Sequence, residues 1–448
     1  MKKLATLSLL AVAAFAVTAC GPSVPQYDGT EVQGVTESKI YVGNTAATTG
    51  AFAAVGVPFN VGLETALNTY NLSGGFGGKT VELKHYDDGF DGAKGATFTK
   101  QLVEDDEIFA LVGHFGTNTV AATVDYIKEV GIPMVYAATG INDLYQEGAQ
   151  GYNKAVMPVQ PIYKTEGRIL LARAIASTTG GFGIGGTKVG VVYTKDDAGL
   201  GIKEGIARQE QESKAKVVYA ETDATQGTNH SAAVASLKAA GVDVVIIAAN
   251  QVPFGEILNY MRDANFNVPV ITSYVSANAV TLGALETAGS ISADRPVYVT
   301  SWLNATTEKG YAEYLQFAAE VYLYYGVDLT SPDALTHPNY ETATSMALNS
   351  YAMAGYCAGN IFVQGLKAVA AGNKDLTWLN YIDAMESTVI NLPMGGTLSY
   401  ANGDRLGIAS LSLSRANMNA ADGTGLDVIS PIISLDEVWA NVPTSLKK

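Results

Sequence analysis

Apolar positions along the chain fall into short runs and one-sided helical faces that alternate from residue 40 onward. Residues 40–42 form a short apolar run, and Phe59, Leu63, Ala66, Leu67 and Tyr70 then recur at helical spacing within 53–70. Residues 81–86 alternate apolar and polar positions, which predicts a strand. A helix is predicted over 93–103, a buried strand over 109–113, a helix carrying Val120, Val124 and Ile127, and a strand over 133–137. A second run follows Gly186, with strands at 189–193, 217–219, 244–248 and 268–271 and helices near 199–211, 230–240 and 255–264. This βαβα order predicts an α/β fold of two units in tandem, each a parallel sheet covered by helices on both faces. Two such sheets facing each other form a cleft at their carboxyl edges, where ligands sit in this architecture. The last third is less regular: 342–371 predicts one long, mostly apolar helix, and 395–415 predicts strands around a turn at Asn402-Gly403.

The first twenty residues follow a different pattern. Lys2 and Lys3 precede an apolar stretch over 4–17, too short to span a bilayer, which needs roughly 20 residues. This predicts an export signal. It ends V-T-A-C, similar to the bacterial lipobox, so Cys20 is the expected lipidation site, with Val17 and Thr18 as mild departures. Two acyl chains would hold the mature chain at a membrane. Residues 21–38 carry Gly, Pro and Ser without periodicity and are expected to form a flexible linker.

Composition narrows the function. With 448 residues and 48% hydrophobic positions, the chain can bury more than one core. A formal net charge of −15 argues against nucleic acid as a partner. Two cysteines allow no disulfide framework, and four scattered histidines show no metal-ligand spacing, so neither a metal nor a cofactor is expected. No nucleophile elbow occurs, and no catalytic residue is predicted.

Several motif-like stretches carry no chemistry. Gly181, Gly183 and Gly186 follow a helical segment and precede a strand, the reverse of a dinucleotide site. Ser73 to Thr80 imitates a phosphate loop but runs into a strand rather than a helix. Asp87, Asp88 and Asp91 lack the spacing and distal Glu of a calcium loop and read as solvated turn or hinge-side acids.

Longer stretches resemble the periplasmic solute-binding proteins of the leucine/isoleucine/valine type, which serve ABC importers. These are YVGNTAATTGAFAAVGVPFNVGLETALNTYN and GGFGGKTVELKHYDD in 41–88, ALVGHFGTNTVAA, EVGIPMVYAATG, VGVVYTKDDAGLGIKEGI and MGGTLSYANGDR. The resemblance covers roughly 38–440. It implies a two-lobed type I periplasmic-binding-protein-like fold with three hinge crossovers, placed near 156, 275 and 395. Lobe one is then 39–156 and 276–394, and lobe two 157–275 and 395–448. It also implies an extracytoplasmic receptor, anchored through Cys20 to the outer face of a bacterial cytoplasmic membrane, that passes an amino acid or related amide to an ABC permease. A sensory or adhesive lipoprotein of the same fold is the alternative, with a surface hydrolase behind it.

The implied ligand contacts are Thr117, Asn118 and Thr119 at one helix start, where main-chain N–H groups and hydroxyls suit a carboxylate. Ala138, Thr139 and Gly140 form a second loop, suited to a ligand amine or amide. Tyr163, Tyr274 and Phe52 complete the set. Relatives that bind amino acids place an acidic residue in lobe two against the ligand ammonium, and here Tyr274 occupies that place. Ala198 stands where relatives often carry an aromatic residue. An ammonium buried without an acid is costly, so amides, urea and small organic acids stay open as ligands.

Overall fold

Strand and helix alternate from Lys39 onward, as the apolar pattern predicts. The computed structural model describes residues 24–448 other than 278, 306 and 421–424, with the side chains of 279 and 280 left aside. Cys20 and the export signal lie outside the described residues.

The first unit runs β1 (Lys39–Ala46), α1 (Ala53–Leu72), β2 (Thr80–Asp87), α2 (Gly92–Lys100), β3 (Ala110–Val112), α3 (Thr117–Val130), β4 (Met134–Val135) and β5 (Val156–Met157). Its five strands pair in parallel in the order β2-β1-β3-β4-β5. The second unit runs α4 (Tyr163–Ile175), β6 (Lys188–Thr194), α5 (Asp197–Glu210), β7 (Lys216–Thr222), α6 (Ser231–Ala240), β8 (Val244–Ala248), α7 (Gln251–Asp263), β9 (Val270–Thr272), α8 (Ala279–Thr287) and β10 (Val297–Ser301). The chain then returns to the first unit through α9 (Glu308–Tyr324), α10 (Tyr340–Ala347), α11 (Ser350–Ala371), α12 (Trp378–Ser387) and the hairpin β11 (Ile390–Leu392) with β12 (Gly396–Leu398). It ends with β13 (Ser410–Ala416), β14 (Leu426–Ser434) and α13 (Leu435–Ala440). The second sheet has seven strands in the order β14-β13-β10-β9-β8-β6-β7. Strands β6 to β10 are parallel, while β13 and β14 add an antiparallel edge. The α/β class and parallel sheets stand as read, with that edge as an addition.

Four expectations change. The crossover placed near 275 lies beyond Ser301, because β10 pairs in parallel with β9 in the second sheet. The helix expected over 342–371 is two helices: Asn349 breaks it and accepts a hydrogen bond from Tyr351 N, starting α11 afresh. The strands flanking Asn402-Gly403 do not pair with each other; β12 joins β11, and β13 joins β10 and β14. Residues 24–38, expected as a free linker, lie along the first unit. Tyr27 donates to Gly131 O at 2.6 Å, Gln33 Nε2 donates to Val103 O and Ile108 O, and Trp378 N donates to Glu31 O.

Glycine lets the layers close up. A Cβ on Gly62 of α1 would overlap the Ala352 carbonyl of α11, and one on Gly355 would overlap the Phe59 carbonyl. The same reciprocal approach joins α4 and α5, where Gly167 faces the Ile202 carbonyl and Gly205 the Lys164 carbonyl. Next to the first and third crossovers, Ile408 N donates to Val159 O. Buried Arg405 donates to Glu386 at 2.8 Å and to the carbonyls of Lys154 and Tyr400.

Candidate functional site, a cleft at the carboxyl edges of two sheets

The segments that follow the strands converge on one cavity of about 870 Å³ of open space. Phe52 lies beyond β1, Phe115 to Thr117 beyond β3, and Ala138 beyond β4. From the second sheet come Asn250 and Gln251 beyond β8, Tyr274, Val275 and Ala277 beyond β9, and Trp302 and Leu303 beyond β10. The loops that follow parallel strands emerge at the carboxyl edge of the sheet, so both units deliver them to one space.

Its walls are largely aromatic. Phe52 and Phe90 stack with ring centroids 3.9 Å apart, and Phe59, Phe115, Trp302 and Tyr351 complete the apolar lining. No Asp, Glu, Lys, Arg or His is among the described residues that line it. The polar contribution comes from neutral groups, chiefly Thr117, Gln160, Tyr163, Asn250, Gln251 and Thr300.

Of the residues expected from sequence, Phe52, Thr117, Ala138, Tyr163 and Tyr274 line the cavity, and Asn118, Thr119, Thr139 and Gly140 are not among its lining residues. Thr139 belongs to a hydroxyl triangle: Thr117 Oγ1 is 3.1 Å from Thr139 Oγ1 and 3.0 Å from the Tyr163 hydroxyl, and Thr139 Oγ1 is 3.2 Å from that hydroxyl. Burial pushes the Tyr163 hydroxyl up to about 12, against hydrogen bonds from Thr117 and Thr139. Gly140 accepts from Tyr163 N at 2.6 Å, and any Cβ there would meet Pro161 O and the Tyr274 hydroxyl. Tyr274 itself donates to Pro161 O at 2.8 Å.

Asn118 and Thr119 serve the aromatic wall instead. Asn118 Nδ2 donates to Phe90 O at 3.1 Å. Thr119 Oγ1 donates to Asp88 Oδ2 at 2.6 Å, and Asp88 Oδ1 accepts from Phe90 N at 2.8 Å. The side chain of Phe90 therefore reaches the cavity from a backbone with φ of 70°, held by these bonds. Asp88 is fully buried rather than solvated, which corrects the sequence reading of this acidic turn. Burial works against ionisation of its neighbour Asp87, yet hydrogen bonds from Thr49, Thr48 and Gly89 lower it to about 2. Asp91 caps α2. All three acids organise the turn that presents Phe90.

Sequence reasoning missed Phe90, Phe115, Gln160, Trp302 and Tyr351. Phe115 was within reach, two residues before Thr117 in the same loop. Trp302 was hidden by the misplaced crossover, and Tyr351 by the unbroken helix.

One carboxylate sits directly behind the lobe-two wall. Glu166 is fully buried and accepts from Ser273 Oγ and Thr300 Oγ1, both at 2.6 Å, and from Tyr274 N at 3.2 Å. Burial raises it to about 7, with the three hydrogen bonds opposing.

A cleft between two open α/β units, lined from both carboxyl edges and free of paired catalytic groups among its described lining residues, defines a two-lobed small-molecule binding protein. The family model described as periplasmic binding protein matches residues 39–423, and the chain belongs to that family of solute-binding proteins. It is similar to a Leu/Ile/Val-binding protein homolog of Brucella melitensis, 26% identical over 59% of this chain and 66% of that one. The chain spans less than two thirds of the length of the curated relatives it matches. In fold it is similar to a fatty acid ABC transporter substrate-binding protein from Thermomonospora curvata, with a TM-score of 0.73, 18% identity and coverage of 93% and 98% of the two chains. It is likewise similar to a branched-chain amino acid transporter substrate-binding protein of Streptococcus pneumoniae solved with isoleucine, with a TM-score of 0.65, 19% identity and coverage of 88% and 100%. Among the described residues, no helix is long and apolar enough to cross a membrane.

Proposed function

We propose that the chain is an exported receptor, lipid-anchored through Cys20, that captures one small solute between its lobes and delivers it to an ABC import permease. The observation that carries this reading is a cavity to which both lobes contribute. A ligand there touches two bodies at once, so its binding energy favours their closure about the crossovers. The proposed ligand contacts are Phe52, Thr117, Ala138, Tyr163 and Tyr274 from the sequence reading, joined by Phe90 and Trp302. Asn118, Thr119, Thr139 and Gly140 are proposed as supports of that wall. The relatives' names favour a solute the size of a branched-chain amino acid or its amide, with an apolar body.

The test is thermal unfolding of the mature chain against a panel of amino acids, amides and small organic acids. A receptor gains melting temperature with one narrow group of them, because a ligand at about 100 times its Kd adds roughly 2.7 kcal/mol. A folded protein that responds to none would sink the reading.

A further inference from the structure

We infer, resting on the Cys20 anchor of the receptor reading above, that the lipid surface is the partner of one particular face, the amino-edge pole of lobe one. Lobe one stands at the membrane on a short tether, lobe two lies farthest out, and the cleft opens between them.

The topology sets the axis. Loops that follow strands of both sheets line one cavity, so the two sheets turn their carboxyl edges towards each other. Their amino edges therefore lie at opposite poles of the molecule. Strand β1 has 8 residues, which separates the two edges of the first sheet by roughly 26 Å.

The chain from Cys20 arrives at one of those poles. Residues 24–38 form a strap fastened along the amino edge of the first sheet. Pro25 O accepts from Tyr152 N at 2.9 Å, ahead of β5. The Tyr27 hydroxyl donates to Gly131 O ahead of β4. Gln33 Nε2 donates to Val103 O at 3.0 Å and to Ile108 O at 2.9 Å, ahead of β3. Gly34, with φ of 68°, lies so close that a Cβ would meet Phe109 N. Glu31 O accepts from Trp378 N at the start of α12, and Tyr27 and Val35 pack against the core of this lobe.

Length then fixes the approach. Only residues 21–23 separate Cys20 from Val24. An extended chain rises about 3.5 Å per residue, so Cys20 lies within roughly 14 Å of Val24. A free chain from Cys20 to Lys39 would instead reach roughly 65 Å, well beyond the span of the first sheet. The packed strap removes that freedom and leaves one pole facing the bilayer. Closure over a solute then swings lobe two against a lobe one that is held at the membrane.

Energy transfer from a fluorophore to acceptor-labelled headgroups tests this on the full lipidated chain. The chain is placed in vesicles of phosphatidylethanolamine and phosphatidylglycerol. Labels are carried by Glu129→Cys beside Gly131, by Ala51→Cys beyond the carboxyl end of β1, or by Ala239→Cys at the amino edge of the second sheet. All three positions are exposed, and native Cys357 is buried. Transfer is expected to be about twofold stronger or more from Glu129→Cys than from Ala51→Cys, given the rise of β1, and weakest from Ala239→Cys. Equal transfer from the three, or another order, overturns the inference while the anchor stands. Tyr27→Ser combined with Gln33→Ala loosens the strap and is expected to narrow the contrast in protein that stays folded and vesicle-bound. An unchanged contrast would refute the role given to the strap. Cys20→Ser is expected to lose transfer at every position, and transfer that survives it would mean direct adsorption rather than a tether. A lipid-bearing chain that fails to bind the vesicles would remove the anchor itself, and this inference with it.

Discussion

Glu166 accepts three hydrogen bonds and is still hard to ionise, because burial outweighs them. Its pKa rises from 4.5 to about 7, so the folded state holds a proton that the unfolded chain has lost between those two values. Stability therefore falls as pH rises through that window and levels off above it, by about 3 kcal/mol at most. Urea unfolding at pH 4.5 to 8 should show this decline in the natural protein and a flatter profile in Glu166→Gln. A profile unaltered by the substitution would assign the decline elsewhere. The same residue ties α4 to the ends of β9 and β10, through Ser273 and Thr300. Nothing in the sequence around Glu166 marks it, since its partners are more than 100 positions away. Thr117 was legible because it lies in a stretch that carries the family resemblance, and Tyr163 and Tyr274 because they flank expected crossovers, where relatives bring lobe-two residues to the ligand. Asn118 and Thr119 do not line the cavity for a simple reason: three successive residues at a helix start point in different directions, and of these only Thr117 faces it.

At the scale of elements, the reciprocal glycines set how closely helices approach. Gly355→Ala would push its methyl group into the Phe59 carbonyl and force α1 and α11 apart, at a cost of roughly 1–3 kcal/mol. Gly255→Ala in α7 meets only Leu285 at 3.8 Å and is expected to be neutral or stabilising by up to about 1 kcal/mol. Chemical denaturation of the two variants tests the contrast, and equal effects would mean that helix propensity alone is at work. The early strands and helices were readable because each carries a clean period of its own. The unit from α9 to β12 was not, because its packing is mutual: Ala347 and Ala343 are buried by neighbours rather than by a single apolar face. Asn349 could have been suspected as a cap, but a mid-run Asn is also compatible with an unbroken helix.

For the whole molecule, the proposed anchor and the cleft are expected to be separable. Cys20→Ser is expected to abolish labelling of the chain by radioactive palmitate in growing cells and to release it from the membrane fraction, with ligand-dependent thermal shifts unchanged. A variant that stays membrane-bound would overturn lipidation as the tether. Residues 24–38 pack on the first unit rather than forming a free stalk, so the proposed tether would join the chain at that lobe. A composition rich in Gly and Pro was a poor guide here: Tyr27 rests against Tyr152 with ring centroids 4.7 Å apart, a contact that composition does not register.

By itself the sequence determined the alternation of strands and helices, the two parallel sheets, the cleft at their carboxyl edges and the loops that supply about half of its expected contacts. These follow from local periodicity and short motifs, which adjacent residues encode. Tertiary structure alone decided that β10 joins the second sheet, that Trp302 and Tyr351 wall the cavity, and that Glu166, Asp196 and Asp88 are spent on the protein's own donors. Burial and hydrogen-bond partnership depend on residues distant in the chain, and it is those partnerships that turn these three acids away from the cleft.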